Sequence, residues 1–221
     1  MKLLINALVK FFCGFLLVGL LVFWPAGTLA FSKGWLFMGL LFVPMFIAGF
    51  VMMAKAPDLL EKRLDVKEKQ KSQQGVIKLS GLMFFGGFVV AGLDFRFGWS
   101  VMPQWVTIVA AVLFLAAYGL YAEVLRENAY LSRTIRVEEG QKVVDTGLYA
   151  IVRHPMYMAT LLLFLMIPVL LGSWYALIIF AAYPPIIILR LKAEEALLQA
   201  ELPGYQDYMQ KVKYRLLPFI W

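Results

Sequence analysis

The chain has 221 residues, 62% hydrophobic, 15% aromatic and only 16% charged, with a formal net charge of +7. That balance excludes a water-soluble globular enzyme and places the chain in the membrane class. A single histidine and a single cysteine, Cys13 within an apolar run, exclude a disulfide framework and a Cys/His zinc set.

A helix crosses a ~30 Å hydrocarbon core with about 20 apolar residues. Six stretches are candidates, at roughly 8–31, 35–54, 76–95, 104–125, 156–172 and 174–190. The expected fold class is therefore all-α, a polytopic helical bundle of about six spans. The first stretch superficially resembles a signal peptide, with Lys2 and small residues before Phe31. Its apolar run is too long for one, and a retained first span is expected.

Residues 57–72 carry charges of both signs and suit a solvated helix or one at the level of the headgroups. The third stretch contains Gly81, Gly86, Gly87, Ala91 and Gly92, small residues that favour close helix packing in lipid. Asp94 and Arg96 follow and are expected to pair at the outer rim. The fourth stretch ends in Tyr118, Tyr121, Glu123 and Arg126. Glu123 either lines a cavity or snorkels to the interface, and its position favours snorkelling.

Residues 126–153 form a polar connection that is long for a compact membrane domain, and long connections are often functional. Within it the stretch that begins Gln141, Lys142, Val143, Val144 and runs to Tyr149 has short apolar alternation and a turn signal, as an extended segment over a site would. Arg153, His154, Pro155, Met156 and Tyr157 open the fifth stretch. Proline suits the first turn of a helix and disfavours helix in the residue before it, so Pro155 should start the span with His154 at its edge. A helix start offers free N–H groups to an anion, Arg153 adds a carboxylate binder, and Tyr149 and Tyr157 add aromatic surface.

The fifth and sixth stretches make a short hairpin about Gly172-Ser173. Pro184-Pro185 frees backbone carbonyls within the sixth. At its end Arg190 and Glu194 are four residues apart, the spacing of an ordinary helical ion pair. Glu195 adds a second carboxylate, so the cluster equally suits a zwitterionic ligand with an ammonium or sulfonium group.

Lys and Arg concentrate at the N-terminus and in 55–78, 126–153 and 190–215, leaving Lys33 and Arg96 on the other side. The positive-inside rule then gives six spans with both termini cytoplasmic. The positive charge is accounted for by this asymmetry, and no nucleic-acid partner is expected. The partners expected are the lipid bilayer and an amphiphilic ligand, with no obligate protein partner.

Gly147-Leu-Tyr149-x3-Arg153-His154-Pro155-x-Tyr157, a hydrophobic hairpin, Arg190-x3-Glu194-Glu195-x2-Leu198, Pro203-Gly204-Tyr205-x2-Tyr208 and a closing Arg215-Leu-Leu-Pro218 resemble the isoprenylcysteine carboxyl methyltransferase family. The broader group includes the membrane phospholipid methyltransferases. The resemblance covers about 104–221 and divides the chain into a three-span scaffold, 1–103, and a catalytic region, 104–221.

It implies an integral membrane methyltransferase that uses S-adenosyl-L-methionine (AdoMet). The cofactor would be held by Gln141, Lys142, Val143, Val144, Tyr149, His154, Pro155, Met156, Tyr157 and Glu194, with Arg190 serving the acceptor. The residue reading adds Arg153 and Glu195 to that set. The acceptor stays open among a prenylated cysteine, a phospholipid amine, a thiol and an isoprenoid acid. An NADPH-dependent membrane reductase of sterol-like lipids and a non-catalytic scaffold or small transporter are the competing readings.

Overall fold

The computed structural model describes residues 1–65, 71–132 and 134–221, and every regular element among them is helical. Helix α1 (Lys2–Ala26) and α2 (Ser32–Lys55) form the first hairpin, and α3 (Pro57–Leu64) follows it. Helices α4 (Lys71–Phe97) and α5 (Gln104–Glu127) form the second pair. A long irregular connection contains one 3-10 turn, Gly147–Ala150. Helix α6 (Pro155–Leu171), α7 (Trp174–Phe180), α8 (Tyr183–Glu201) and α9 (Tyr205–Lys211) complete the chain.

Helices α1, α2, α4 and α5 are each long and apolar enough to cross a membrane, as is the stretch Trp174–Glu201. Helix α6 is apolar but has only 17 residues, about 25 Å of rise. This is an integral membrane bundle of five long apolar segments and one short one.

The ends of these helices follow from local chemistry. Gly27 adopts the left-handed conformation and returns its N–H to Phe23 and Trp24, which ends α1 earlier than its apolar composition suggests. Gly172 ends α6 in the same way. Ser173 then caps α7 by accepting from the Ala176 N–H at 3.0 Å. The sixth expected span is interrupted at Ala181–Ala182. Pro184 and Pro185 supply no N–H to the preceding turn, so they stand in the first turn of a new helix, α8.

Helix α4 packs chiefly against α1 and α7. A methyl group on Gly87 would strike the Phe180 ring of α7, and one on Gly92 would come within 2.6 Å of the Val22 carbonyl of α1. Ala91 between them is fully buried. Gly81 and Gly86 have open space around them instead, so only part of the small-residue stripe is a packing surface. Helix α6 lies most extensively along α5.

Asp94 and Arg96 do not pair as expected. Asp94 is 2% exposed and accepts from the Ser100 N–H at 2.7 Å, the Ser100 hydroxyl at 2.6 Å and the Ser173 hydroxyl. Arg96 lies over the Phe97 ring, 5.6 Å from its centroid. Hydroxyls and an amide satisfy the buried carboxylate, so it ties the α4–α5 and α6–α7 turns together at one end of the bundle. The site lies at the other end, where the basic segments gather.

Candidate active site

Helix α5 ends in Glu127 and Asn128, and these two residues position the Gly-Leu-Tyr turn. Glu127 accepts from the Leu148 N–H at 3.0 Å. Its carboxylate fills the space where a side chain at position 147 would stand, and Gly147 has a φ of 53°. Both the close approach and the left-handed backbone require glycine here. The turn buries Tyr149, whose hydroxyl accepts from the Asn128 amide at 2.9 Å. The Tyr149 carbonyl accepts from the Tyr208 hydroxyl of α9 at 2.7 Å. Burial pushes both phenols above their ordinary value, so they remain hydrogen-bond donors.

The next residues are clamped by the C-terminal tail. The Arg153 and His154 N–H groups donate to the Tyr214 and Arg215 carbonyls, each at 2.9 Å. Arg153 also reaches the Val212 and Lys213 carbonyls at 2.8 and 3.0 Å. Pro155 is the first residue of α6, as the sequence implies, and His154 precedes it without a side-chain cap.

Glu195 joins three cationic or potentially cationic groups from below. Its carboxylate accepts from Arg153 at 2.7 Å and Arg215 at 2.8 Å, and lies 3.2 Å from His154 Nε2. It is 3% exposed. Two guanidinium groups supply the donors that a buried carboxylate needs.

Glu194 faces elsewhere. The Tyr157 hydroxyl donates to it, and Arg190 approaches the same phenol. The His154 and Tyr157 rings lie nearly parallel, 5.7 Å apart. These groups wall a cavity between the start of α6, the connection from 128 to 144, α8 and α9.

The structure gathers most of the residues singled out from the sequence. Gln141, Lys142, Val143, Val144, Tyr149, Arg153, His154, Met156, Tyr157, Arg190 and Glu194 all line the cavity. Residues 141–144 do so as irregular backbone without strand pairing. Pro155 and Glu195 do not line it: Pro155 is fully buried, and the Glu195 oxygens are occupied by Arg153, Arg215 and His154. Arg153, although at the wall, has Nε and Nη1 committed to Glu195 and the tail. Glu123 forms a two-point pair with Arg126 at 2.8 and 2.6 Å, exposed at the helix end, as snorkelling requires.

Several wall residues escaped the sequence reading, among them Asn128, Ser132, Leu198, Leu202, Tyr205 and Tyr208. The two tyrosines carried a signal, the Pro-Gly-Tyr-x2-Tyr motif, which fixes a left-handed Gly204 before α9. Tyr205 and Tyr208 join Leu202 and Val212 in a small apolar cluster that Val143 and Leu198 flank. The Tyr205 hydroxyl is buried at the cavity and has no hydrogen-bond partner among the described residues.

Residues 105–200 match the isoprenylcysteine carboxyl methyltransferase (ICMT) family. No curated protein matches the chain. The ICMT match starts within α5, ends within α8, and contains both the Arg-His-Pro and the Glu-Glu clusters. The family is named for a methyltransferase, and the apolar helices mark this chain as an integral membrane protein. Among the described residues of the cavity wall, only Leu202, Tyr205 and Tyr208 fall outside the matched segment.

Proposed function

We propose that the protein is an AdoMet-dependent methyltransferase that binds its cofactor in this cavity and methylates a lipidic or amphiphilic acceptor of the isoprenylcysteine-carboxylate type. The observation that carries the reading is the composition of the wall: Glu194 bound by Tyr157, Arg190 beside them, and Tyr205, whose buried hydroxyl has no partner among the described residues. AdoMet combines a carboxylate, an ammonium, a sulfonium and an adenine ring, so it needs both charges and an apolar slot. Glu194 suits the cationic part, and the N–H groups at the start of α6 suit the carboxylate. Val143, Leu198 and Leu202 offer apolar surface for the ring, with Tyr205 as a hydroxyl donor.

AdoMet, when bound, supplies an electrophilic methyl group on its sulfonium. The chain's own part is to align donor and acceptor and to keep water from the reaction, which accounts for a large share of such a barrier. Tyr205 and Tyr208 of α9 form part of the cavity wall, and the C-terminal tail holds Arg153 and His154 in place beside it. Arg190, on α8 where the helix leaves the apolar stretch, orients or neutralises the acceptor's polar end while its tail stays in lipid. An acceptor that is already a carboxylate or thiolate needs no base. An amine acceptor does, and Glu194 is then the candidate.

The basic end of the bundle is assigned to the cytosol by the positive-inside rule, which puts both termini and the cavity there. The bilayer and the acceptor are the proposed partners. Residues 1–103 are proposed as scaffold and 104–221 as the catalytic region, apart from one contribution of α3 taken up below. Transfer of labelled methyl from AdoMet to a panel of prenylcysteine, phospholipid amine, thiol and isoprenoid acid acceptors tests the function. Labelling of a prenylcysteine-type carboxylate is expected, and labelling of none would count against it.

A further inference from the structure

We infer that Arg63, in the N-terminal half of the chain and outside the ICMT-matched segment, is a positioning residue for the cavity wall. The charged stretch that holds it reads as a solvated or headgroup-level helix, and within it α3 buries Leu59 and Leu60 and brings Lys62 and Arg63 to Tyr130 and Ser132. Arg63 donates to the Ser132 carbonyl at 3.2 Å and to the Tyr121 hydroxyl, and approaches the Met156 sulfur at 3.7 Å. Ser132 and Met156 both line the cavity. One guanidinium therefore joins α3 to the end of α5, to the irregular wall segment and to the first turn of α6.

The wall segment needs such an anchor. Residues 128–132 and 134–136 have no regular secondary structure beyond short turns, such as the Tyr130 N–H on Asn128 Oδ1 at 2.9 Å. Two further contacts come from α3 and its end: Lys62 lies over the Tyr130 ring, 5.8 Å from its centroid, and Asp65 lies 3.5 Å from Arg136. The Asp65–Arg136 pair is more than one-third exposed on both sides and contributes little. Arg63 is part-buried, and its planar fork serves several acceptors at once, which Lys cannot reproduce. The far end of α3 is itself held, since Lys10 of α1 donates to the Leu64 carbonyl at 2.5 Å.

The binding consequence rests on the cofactor reading above; the consequence for wall order does not. The experiment compares full-length wild type with Arg63→Ala, Arg63→Lys and Tyr121→Phe in detergent, by amide hydrogen exchange without ligand and by AdoMet titration. Exchange across 128–136 should rise about tenfold in Arg63→Ala, the scale of losing a charged hydrogen bond, and less in Arg63→Lys. Exchange in 165–175, at the opposite end, should stay as in wild type. AdoMet affinity should fall by about the same factor, with KM for AdoMet raised and kcat little changed.

Unchanged exchange at 128–136 would overturn the proposal, and so would a uniform rise at both ends, which marks a purely structural residue. If Arg63→Ala does not fold, Tyr121→Phe decides: a local rise supports the anchor and no rise overturns it. Wild type that binds no AdoMet would remove the cofactor reading alone, because the exchange comparison is made without ligand.

Discussion

Glu194 and Glu195 are adjacent in sequence and point about 100° apart on α8: Glu194 lines the cavity and receives the Tyr157 hydroxyl, whereas Glu195 lies beneath it, bound to Arg153. The two carboxylates therefore do different work, and substitutions separate them.

Glu194→Gln should weaken AdoMet binding about tenfold or more while thermal unfolding stays close to wild type, because a cavity-wall charge is lost and no buried cation is stranded. Calorimetric titration and a melting curve on the same sample check it.

Glu195→Ala should behave in the opposite way. It leaves Arg153 buried without its carboxylate and frees Arg215, a loss on the order of 3–5 kcal/mol for a broken buried pair. A markedly lower melting temperature is expected, and loss of cofactor binding should follow unfolding. A melting temperature equal to that of Glu194→Gln would contradict the division of labour.

Gly147→Ala should cost about 1–3 kcal/mol, the scale of a strained backbone site, because the added methyl meets Glu127 at a positive φ. Pairing it with Glu127→Ala should recover the steric part and leave the backbone part, so the double mutant should be more stable than additivity predicts. Simple additivity in melting curves would exclude the contact.

The buried phenols set an alkaline limit. Tyr149, Tyr205 and Tyr208 are all raised by burial, so above the ordinary phenol value of about 10 the unfolded chain loses protons that the folded chain keeps. Stability contributed by these residues is present below that pH and declines as pH rises through it. Tyr205→Phe, which removes the unpartnered hydroxyl, should lessen the alkaline loss measured by pH-dependent melting.

The sequence made the helical bundle and much of the cavity legible for two different reasons. Apolar length marks a span without knowledge of its neighbours, so α2 and α5 lie close to their expected limits. Local rules also placed Pro155 at the start of α6, since proline constrains its own helix. Contacts between distant elements were less accessible. Asp94 meets Ser173 and Arg63 meets Ser132 across 79 and 69 positions, and no pattern local to either residue announces these pairs. The same holds for Glu195, whose partners Arg153, His154 and Arg215 lie 42, 41 and 20 positions away. Tyr205 lay within a motif, but the burial of its hydroxyl without a partner among the described residues depends on the fold.

The most direct test of the central claim is calorimetric titration of the purified wild-type protein with AdoMet, run in parallel with NADPH. Saturable binding of AdoMet alone, lost in Glu194→Gln, is the predicted result. No AdoMet binding by a folded sample, or NADPH binding in its place, would contradict the account and favour the reductase.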